Sequence, residues 1–257
     1  MKKRLALLVL LIIFVSSQAF AIEIPFSDTS YYWPTWENGT TDDTRDTIGI
    51  PNFTGGKVSI SSNGHLENIC FNYKADNYLS IWNVLKPSDL FIDIGADNTW
   101  DYLVKTNGQK TAGDYGLFSI NISSIKGDND SSYILSGNDN TGTWSGYYIR
   151  DSHPIAINVG TSTTAQTTYF SGWQIPGVTG TEVISFFDFS DYPIYLGSDD
   201  FIISWTVNCS NDVVYEKFTG GGTPVPEPAT MTLLGSGLIG LAALGRKKIS
   251  KKINARP

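Results

Sequence analysis

The chain has 257 residues, of which 41% are hydrophobic, 13% aromatic and 17% charged. This composition supplies enough apolar side chains for a packed core, and too few charges for a coiled coil or a charge-driven disordered chain. Residues 22–224 contain 24 acidic and 9 basic residues, a net charge of −15, which disfavours binding to a phosphate backbone. We therefore expect one acidic folded domain with no nucleic-acid partner.

Residues 1–21 have the pattern of a secretory signal peptide. A basic start at positions 2–4 precedes an apolar run at positions 5–15, and Ala19 and Ala21 supply the small side chains that signal peptidase accepts. An apolar run of about eleven residues is short for a bilayer core of roughly 30 Å, so a cleaved signal is favoured over a membrane anchor. Cleavage by signal peptidase would leave Ile22 as the first residue.

Residues 22–219 have the pattern of an all-β domain. Short runs rich in Val, Ile and aromatic residues alternate with clusters of Gly, Asn, Asp and Ser, and no stretch keeps a helical period. About twelve candidate strands without helical crossovers predict an antiparallel β-sandwich or jelly roll. This part of the chain is the predicted ectodomain.

The two cysteines, Cys70 and Cys209, both fall in candidate strands of the exported part. Export to an oxidising compartment makes one Cys70–Cys209 disulfide the simple interpretation. Such a bridge would close a loop of about 140 residues and add on the order of 4–5 kcal/mol in the chain-entropy model. The alternative is two buried free thiols.

Asp93, Asp97 and Asp101 recur at intervals of four. Calcium prefers several oxygen ligands presented by a loop, so these residues form a candidate calcium site, and no other cofactor is expected. The EF-hand register fails, because the twelfth position counted from Asp93 is Val104 rather than Glu. The alternative is a β-hairpin whose turn is flanked by solvated aspartates.

Trp33 and Trp144 are candidates for stacking on sugar rings, which would suit a carbohydrate-binding module; the alternative is ordinary core packing. The Thr-rich run at positions 161–168 lacks the repeated array that an ice-binding face needs, so a polar loop or edge strand is the better interpretation.

Catalysis finds little support in the sequence. The only histidines, His65 and His153, are distant, and no zinc helix, nucleophile elbow or phosphate-binding glycine loop is present. We expect no catalytic residues. A glycoside hydrolase with paired carboxylates stays an open alternative, because pairing in space is not visible in a sequence.

The C-terminal end has three parts in a fixed order. A Gly/Pro linker at residues 220–228 ends in Pro226, Glu227 and Pro228, an uncharged stretch follows at 229–245, and a basic tail occupies 246–257. Seventeen helical residues span roughly 25 Å, enough for a thin bilayer. The basic cluster, which consists of Arg246, Lys247 and Lys248, would remain cytoplasmic by the positive-inside rule. The sequence therefore predicts a single transmembrane helix, suited by its small residues to a transient anchor in the inner membrane.

Pro226-Glu227-Pro228, the Gly-rich apolar stretch and the basic cluster together resemble the PEP-CTERM sorting signal of Gram-negative bacteria. The resemblance implies recognition of the tripeptide by an exosortase, a membrane enzyme that removes the tail, and sorting to the outer surface or extracellular matrix. The family is associated with exopolysaccharide and biofilm production. The same tail is also described as an ice-binding protein C-terminal domain, which implies nothing about the ectodomain.

Four segments of the ectodomain, at residues 88–93, 100–102, 148–154 and 207–212, resemble segments of uncharacterised exosortase-dependent surface proteins. This resemblance implies no enzyme activity. The sequence as a whole predicts an exported, non-enzymatic surface or matrix protein linked to exopolysaccharide, with a carbohydrate-binding module as the alternative.

Overall fold

A computed structural model of the chain describes residues 21–30, 33, 46–47, 50–74, 85–124, 131–137, 149–150, 153–159, 166–173 and 180–220. Within these ranges the structure contains thirteen strands and no helix. The strands are β1 (Ile22–Phe26), β2 (Asn52–Ile60), β3 (His65–Lys74), β4 (Leu90–Ile94), β5 (Thr99–Lys105), β6 (Gly113–Ser123), β7 (Tyr133–Leu135), β8 (Pro154–Ile157), β9 (Gln166–Phe170), β10 (Glu182–Asp188), β11 (Ile194–Tyr195), β12 (Phe201–Thr206) and β13 (Val213–Phe218). The all-β prediction is confirmed.

Eleven of the strands form one antiparallel sheet. Its order is β1-β2-β3-β10-β9-β6-β5-β4-β12-β13, and β11 pairs with β3 beyond the end of β10. Strands β7 and β8 form a separate two-stranded sheet. The Thr-rich run reaches the main sheet as β9, which lies between β6 and β10, so the prediction of a loop or edge strand is wrong for residues 166–168.

The main sheet folds over on itself, and its two halves enclose a core. The rings of Phe71 on β3 and Trp205 on β12 lie 4.5 Å apart, although five strands separate β3 from β12 in the sheet order. Near the sheet edges, Phe26 at the end of β1 meets Phe218 on β13 at 5.7 Å. The predicted sandwich is therefore built from one continuous antiparallel sheet rather than from two.

Strands β4 and β12 are covered on both faces. Successive residues of β12 belong to different cores: Ile203 packs in the core between the two halves, and Ile202 packs in a second cluster on the opposite face. Consecutive apolar residues, here 90–92 on β4 and 201–203 on β12, are typical of strands buried on both sides. The second cluster is where Trp33 lies.

Trp33 is fully buried in this second cluster, where its ring meets those of Phe91 and Trp100 at 5.0 and 5.4 Å. A ring with no exposed face cannot stack on a sugar, so the prediction of glycan stacking is wrong for Trp33. Its alternative, core packing, is what the structure shows. Trp144 lies outside the described residues.

Both cysteines are free thiols, so the predicted disulfide is wrong. Side chains alternate across a strand, and on β3 the neighbours Ile69 and Phe71 point into the core while Cys70 faces outward. Cys209 is fully buried inside that core. The two thiols therefore lie on opposite sides of the sheet, a relation that no bridge can span.

The predicted signal peptide, apart from Ala21, and the whole C-terminal region from residue 221 lie outside the described residues, as do the sorting tripeptide and the basic cluster. In the part of the chain that is described, we find no helix long and apolar enough to cross a membrane.

Candidate metal centre

The hairpin aspartates, Asp93, Asp97 and Asp101, lie on the β4–β5 hairpin, where two of them accept hydrogen bonds from the backbone of the turn. Asp93 accepts hydrogen bonds from the backbone N–H groups of Asp97 and Asn98 at 3.2 and 3.0 Å. Asp101 accepts one from the N–H of Ile94 at 2.7 Å. Their carboxylates hold the turn together instead of converging, and they are absent from the one converging group of acidic or metal-binding side chains among the described residues. These contacts favour the hairpin alternative for the segment, and calcium binding by it stays a prediction.

Burial raises the pKa of Asp93 to about 6. Its two backbone hydrogen bonds favour the charged form and lower the pKa, while the charges of Asp97 and Asp101 raise it further. Asp93 is thus a turn-forming group whose protonated form is favoured by its surroundings.

The converging group consists of Asp28, Asp46 and Asp212, which we call the aspartate cluster. One carboxylate oxygen of each lies within 4.8 Å of the others. Asp28 follows β1 by two residues, Asp46 lies in the short described segment 46–47, and Asp212 immediately precedes β13. Three segments that are distant in sequence therefore meet at this point.

In Asp212 and Asp28, one carboxylate oxygen accepts hydrogen bonds from neighbouring protein groups. Asp212 Oδ2 accepts the backbone N–H of Phe53 at 2.5 Å and the hydroxyl of Thr47 at 3.2 Å. Asp28 Oδ1 accepts the N–H of Ser30 at 3.2 Å. These hydrogen bonds fix the orientation of Asp28 and Asp212, and the one from Phe53 joins the start of β2 to the turn before β13.

A second oxygen on each side chain has no such partner. Asp28 Oδ2, Asp46 Oδ1 and Asp212 Oδ1 are buried and accept no hydrogen bond from an N–H or hydroxyl group of the described residues. The side chains of Asp28 and Asp212 can hydrogen-bond to each other only when one of them is protonated. The positive charge of Arg150 acts on Asp46 and lowers its pKa, against the raising effect of burial. Buried polar atoms are nearly always satisfied, so three such oxygens at one place require an explanation.

The electrostatics of the cluster follow from burial and crowding. The pKa of Asp28 is raised to about 9, mainly by burial and secondly by the negative charge of Asp212. Burial raises the pKa of Asp212 to about 7, against the lowering effect of the Phe53 N–H and with a further increase from the charge of Asp46. Burial also raises the pKa of Asp46, while the positive charge of Arg150 lowers it. Three carboxylates this close repel one another, and either a proton or a cation relieves the repulsion.

The cluster lies beside a network built from two of the segments quoted in the sequence analysis, 148–154 and 207–212. In segment 207–212, the carbonyl of Cys209 and the side-chain oxygen of Asn211 both accept the backbone N–H of Arg150, each at 3.0 Å. Arg150 belongs to segment 148–154, and its Nη2 donates to the carbonyl of Asp46 at 3.1 Å. The network thus holds Arg150 next to Asp46 and connects it to the segment that contains Asp212.

A pocket of about 170 Å³ lies elsewhere, lined in part by Lys86, Asp89 and Lys105. Its charges are used within the protein, because Lys105 pairs with Asp89 at 3.2 Å and Asp89 also accepts the N–H of Thr106. Cys209 offers no nucleophile, since burial raises the pKa of its thiol to about 12.

Asp28 and Asp46 were missed by the sequence reasoning, and Asp212 was noticed only as part of segment 207–212. Spacing could not identify them, because the three positions are separated by loops and strands that only the fold brings together. The sole local signals were the Asp28-x-Ser30 turn and the polar run ending at Asp212.

The family model for the PEP-CTERM protein-sorting motif matches residues 224–248. The chain carries a PEP-CTERM sorting motif. The match includes the tripeptide Pro226-Glu227-Pro228 and the basic cluster. No curated protein and no solved structure matches the chain.

The PEP-CTERM motif identifies an exosortase as the processing partner and implies that the protein is exported and sorted to the cell surface. The motif covers only the C-terminal end, so it assigns the protein's destination and leaves the role of the ectodomain to its own structure.

Proposed function

We propose that this protein is a non-enzymatic component of the outer surface or extracellular matrix of a Gram-negative bacterium, associated with its exopolysaccharide. The observation that carries the proposal is the PEP-CTERM motif at residues 224–248. An exosortase cleaves at Pro226-Glu227-Pro228 after signal peptidase has removed residues 1–21, and the apolar stretch at 229–245 anchors the precursor in the inner membrane until then.

The non-enzymatic part of the proposal is supported by how the described polar groups are used. Asp89, Asp93 and Asp101 accept hydrogen bonds from backbone N–H groups of their own sheet. The ring of His65 packs on Tyr195 at 5.1 Å, and the Cys209 thiol is fully buried. These groups act in folding, and none of them is arranged as a nucleophile beside a base.

The test is deletion of residues 226–228 in the native host, followed by intact-mass analysis of the protein from inner membrane, outer envelope and medium. We expect the wild type outside the inner membrane, starting at Ile22 and ending near Pro226. The deletion variant should retain its tail and stay in the inner membrane.

Deletion of Gly221, Gly222 and Thr223 is the matched control, because it shortens the linker equally and leaves the tripeptide intact. This control should be processed as the wild type is. Normal release of the 226–228 deletion variant would overturn the proposed sorting.

A carbohydrate-binding module is the second candidate function, and the exposed aromatic residues favour it. Tyr195 is 63% exposed and lies on β11 with its ring beside His65, while Tyr169 on β9 is 39% exposed and lies beside Phe186 at 5.9 Å. Exposed rings held by a neighbour are suited to stacking on sugar rings.

Binding of the host exopolysaccharide to immobilised protein tests this candidate. We expect Tyr195→Ala or Trp144→Ala to weaken binding at least about fivefold, since stacking on one aromatic contributes about 1 kcal/mol or more. Ile184→Ala is the control, because Ile184 is 51% exposed on β10 without a ring. Equal binding by all four proteins would exclude the candidate.

A further inference from the structure

The aspartate cluster has the ligand chemistry of a site for a hard cation. It offers three carboxylates, one oxygen of each lying within 4.8 Å of the others, and only oxygen atoms are presented. Oxygen-only sites of this kind suit calcium, which takes 6–8 oxygen ligands and tolerates irregular geometry. Magnesium, which demands a near-ideal octahedron and keeps more of its water, fits less well.

A second observation points to a ligand. Asp212 is fully buried, and its Oδ1 accepts no hydrogen bond from an N–H or hydroxyl group of the described residues, while its Oδ2 is held by the Phe53 N–H and the Thr47 hydroxyl. Asp28 shows the same division: Oδ1 accepts the Ser30 N–H, and the buried Oδ2 accepts no N–H or hydroxyl group, so that only a protonated Asp212 carboxyl could donate to this side chain. The protein thus orients these two carboxylates through one oxygen each. The other oxygen of each remains available to a cation or to a shared proton.

The local charge also matches a divalent ion. Three carboxylates carry three negative charges when ionised, and the positive charge of Arg150, which donates to the Asp46 carbonyl, acts on Asp46. One divalent cation removes most of the negative charge, as a buried site requires. The competing occupant is a proton shared between Asp28 and Asp212, because it relieves the repulsion between these two carboxylates. It removes only one negative charge from the cluster.

We propose that Asp28, Asp46 and Asp212 bind one calcium ion, which fastens the segment after β1 and the segment at 46–47 to the turn between β12 and β13. The Thr47 hydroxyl, at 3.2 Å from Asp212 Oδ2, and water molecules complete the coordination. A site with three carboxylates in an exported protein binds calcium with a Kd of roughly 10⁻⁴–10⁻³ M, so it fills outside the cell, where calcium is abundant. Calcium thus consolidates the fold after export.

Calorimetric titration with CaCl₂ tests the proposal on the full-length chain, purified in detergent and treated with EDTA. We expect one calcium per chain, a rise in Tm with CaCl₂, and a smaller rise with MgCl₂. In Asp28→Asn the affinity should fall at least about tenfold and the rise in Tm should disappear, because one charged ligand is lost while the amide oxygen still accepts the Ser30 N–H. Asp46→Asn is the second variant and should behave in the same way.

Asp97→Asn is the matched control. It removes one negative charge from an exposed hairpin aspartate and should bind calcium as the wild type does. The Tm values in EDTA show whether each variant is folded.

The proposal is overturned if the wild type binds no calcium at millimolar concentration, because the occupant of the cluster would then be a proton shared between Asp28 and Asp212. It is also overturned if Asp97→Asn alone abolishes binding. Because the full-length chain is used, the outcome is independent of the sorting experiment.

Discussion

The hairpin aspartates and the aspartate cluster each contain three carboxylates, but their oxygens have different partners. Asp93 and Asp101 accept N–H groups from within their own hairpin, no more than seven residues away. The cluster collects Asp28, Asp46 and Asp212 from three distant segments and leaves one buried oxygen on each without a donor. Carboxylates that are close in sequence are easily satisfied by their own turn, whereas carboxylates joined by the tertiary fold can remain available to a ligand.

The largest effect is expected for Asp212→Ala. Removing this side chain leaves the Phe53 N–H without its acceptor and takes a ligand from the cluster, so we expect the free energy of unfolding to fall by about 3 kcal/mol in calcium. Urea unfolding in CaCl₂ and in EDTA measures it, and the loss should be smaller in EDTA. A loss below about 1 kcal/mol in both buffers would contradict the assigned role of Asp212.

Asp93→Ala should come next, with a loss of about 2 kcal/mol, because two backbone N–H groups of the turn lose their acceptor. Asp101→Ala, which frees only the Ile94 N–H, should lose about 1 kcal/mol. Urea unfolding should give the same losses in CaCl₂ and in EDTA. Dependence on calcium would instead mean that the hairpin binds the ion.

The pH dependence of stability should also separate the two regions. The folded pKa of Asp93 is about 6 against 3.8 for the ordinary group, so the folded state binds more protons than the unfolded state between these values. Its contribution to stability is therefore present below pH 3.8 and is lost as the pH rises through 6.

We expect the difference in unfolding free energy between wild type and Asp93→Asn, measured in EDTA, to change within this window and to be constant above it. The aspartate cluster also titrates across this window, because its raised pKa values begin from the same ordinary value of 3.8, but it is unchanged in Asp93→Asn and therefore cancels from the difference. A difference in unfolding free energy that changes only above pH 7 would contradict a pKa of about 6 for Asp93.

The smallest effect is expected for Asp97→Asn. The side chain is exposed and makes no hydrogen bond that holds the turn, since only its backbone N–H donates to Asp93. The free energy of unfolding should stay within about 0.5 kcal/mol of the wild type in either buffer. A larger loss would mean that this carboxylate has a role in the hairpin.

Local patterns were sufficient for much of the fold. Alternation of apolar and polar residues predicted the strands, and turn residues predicted the β4–β5 hairpin, because strand and turn formation depend on neighbouring residues. The relation between Cys70 and Cys209 could not be predicted in this way. It depends on which face of the sheet each thiol occupies, and a shift of one residue in register reverses that face.

Trp33 illustrates the same limit. A tryptophan in a loop-like segment has the same sequence pattern whether its ring is exposed for a sugar or buried against Phe91 and Trp100. The second cluster that buries it exists only because β4 and β12 are covered on both faces. The decisive contacts come from residues more than fifty positions away in the chain.

Consecutive residues were enough to predict the all-β character of the protein and its PEP-CTERM motif, because strand alternation and a sorting signal are both local patterns. The separation of the thiols, the burial of Trp33 in a core and the meeting of Asp28, Asp46 and Asp212 became visible in the folded chain alone. These are long-range relations, set by how one continuous sheet folds over on itself, and no local pattern in the chain encodes them.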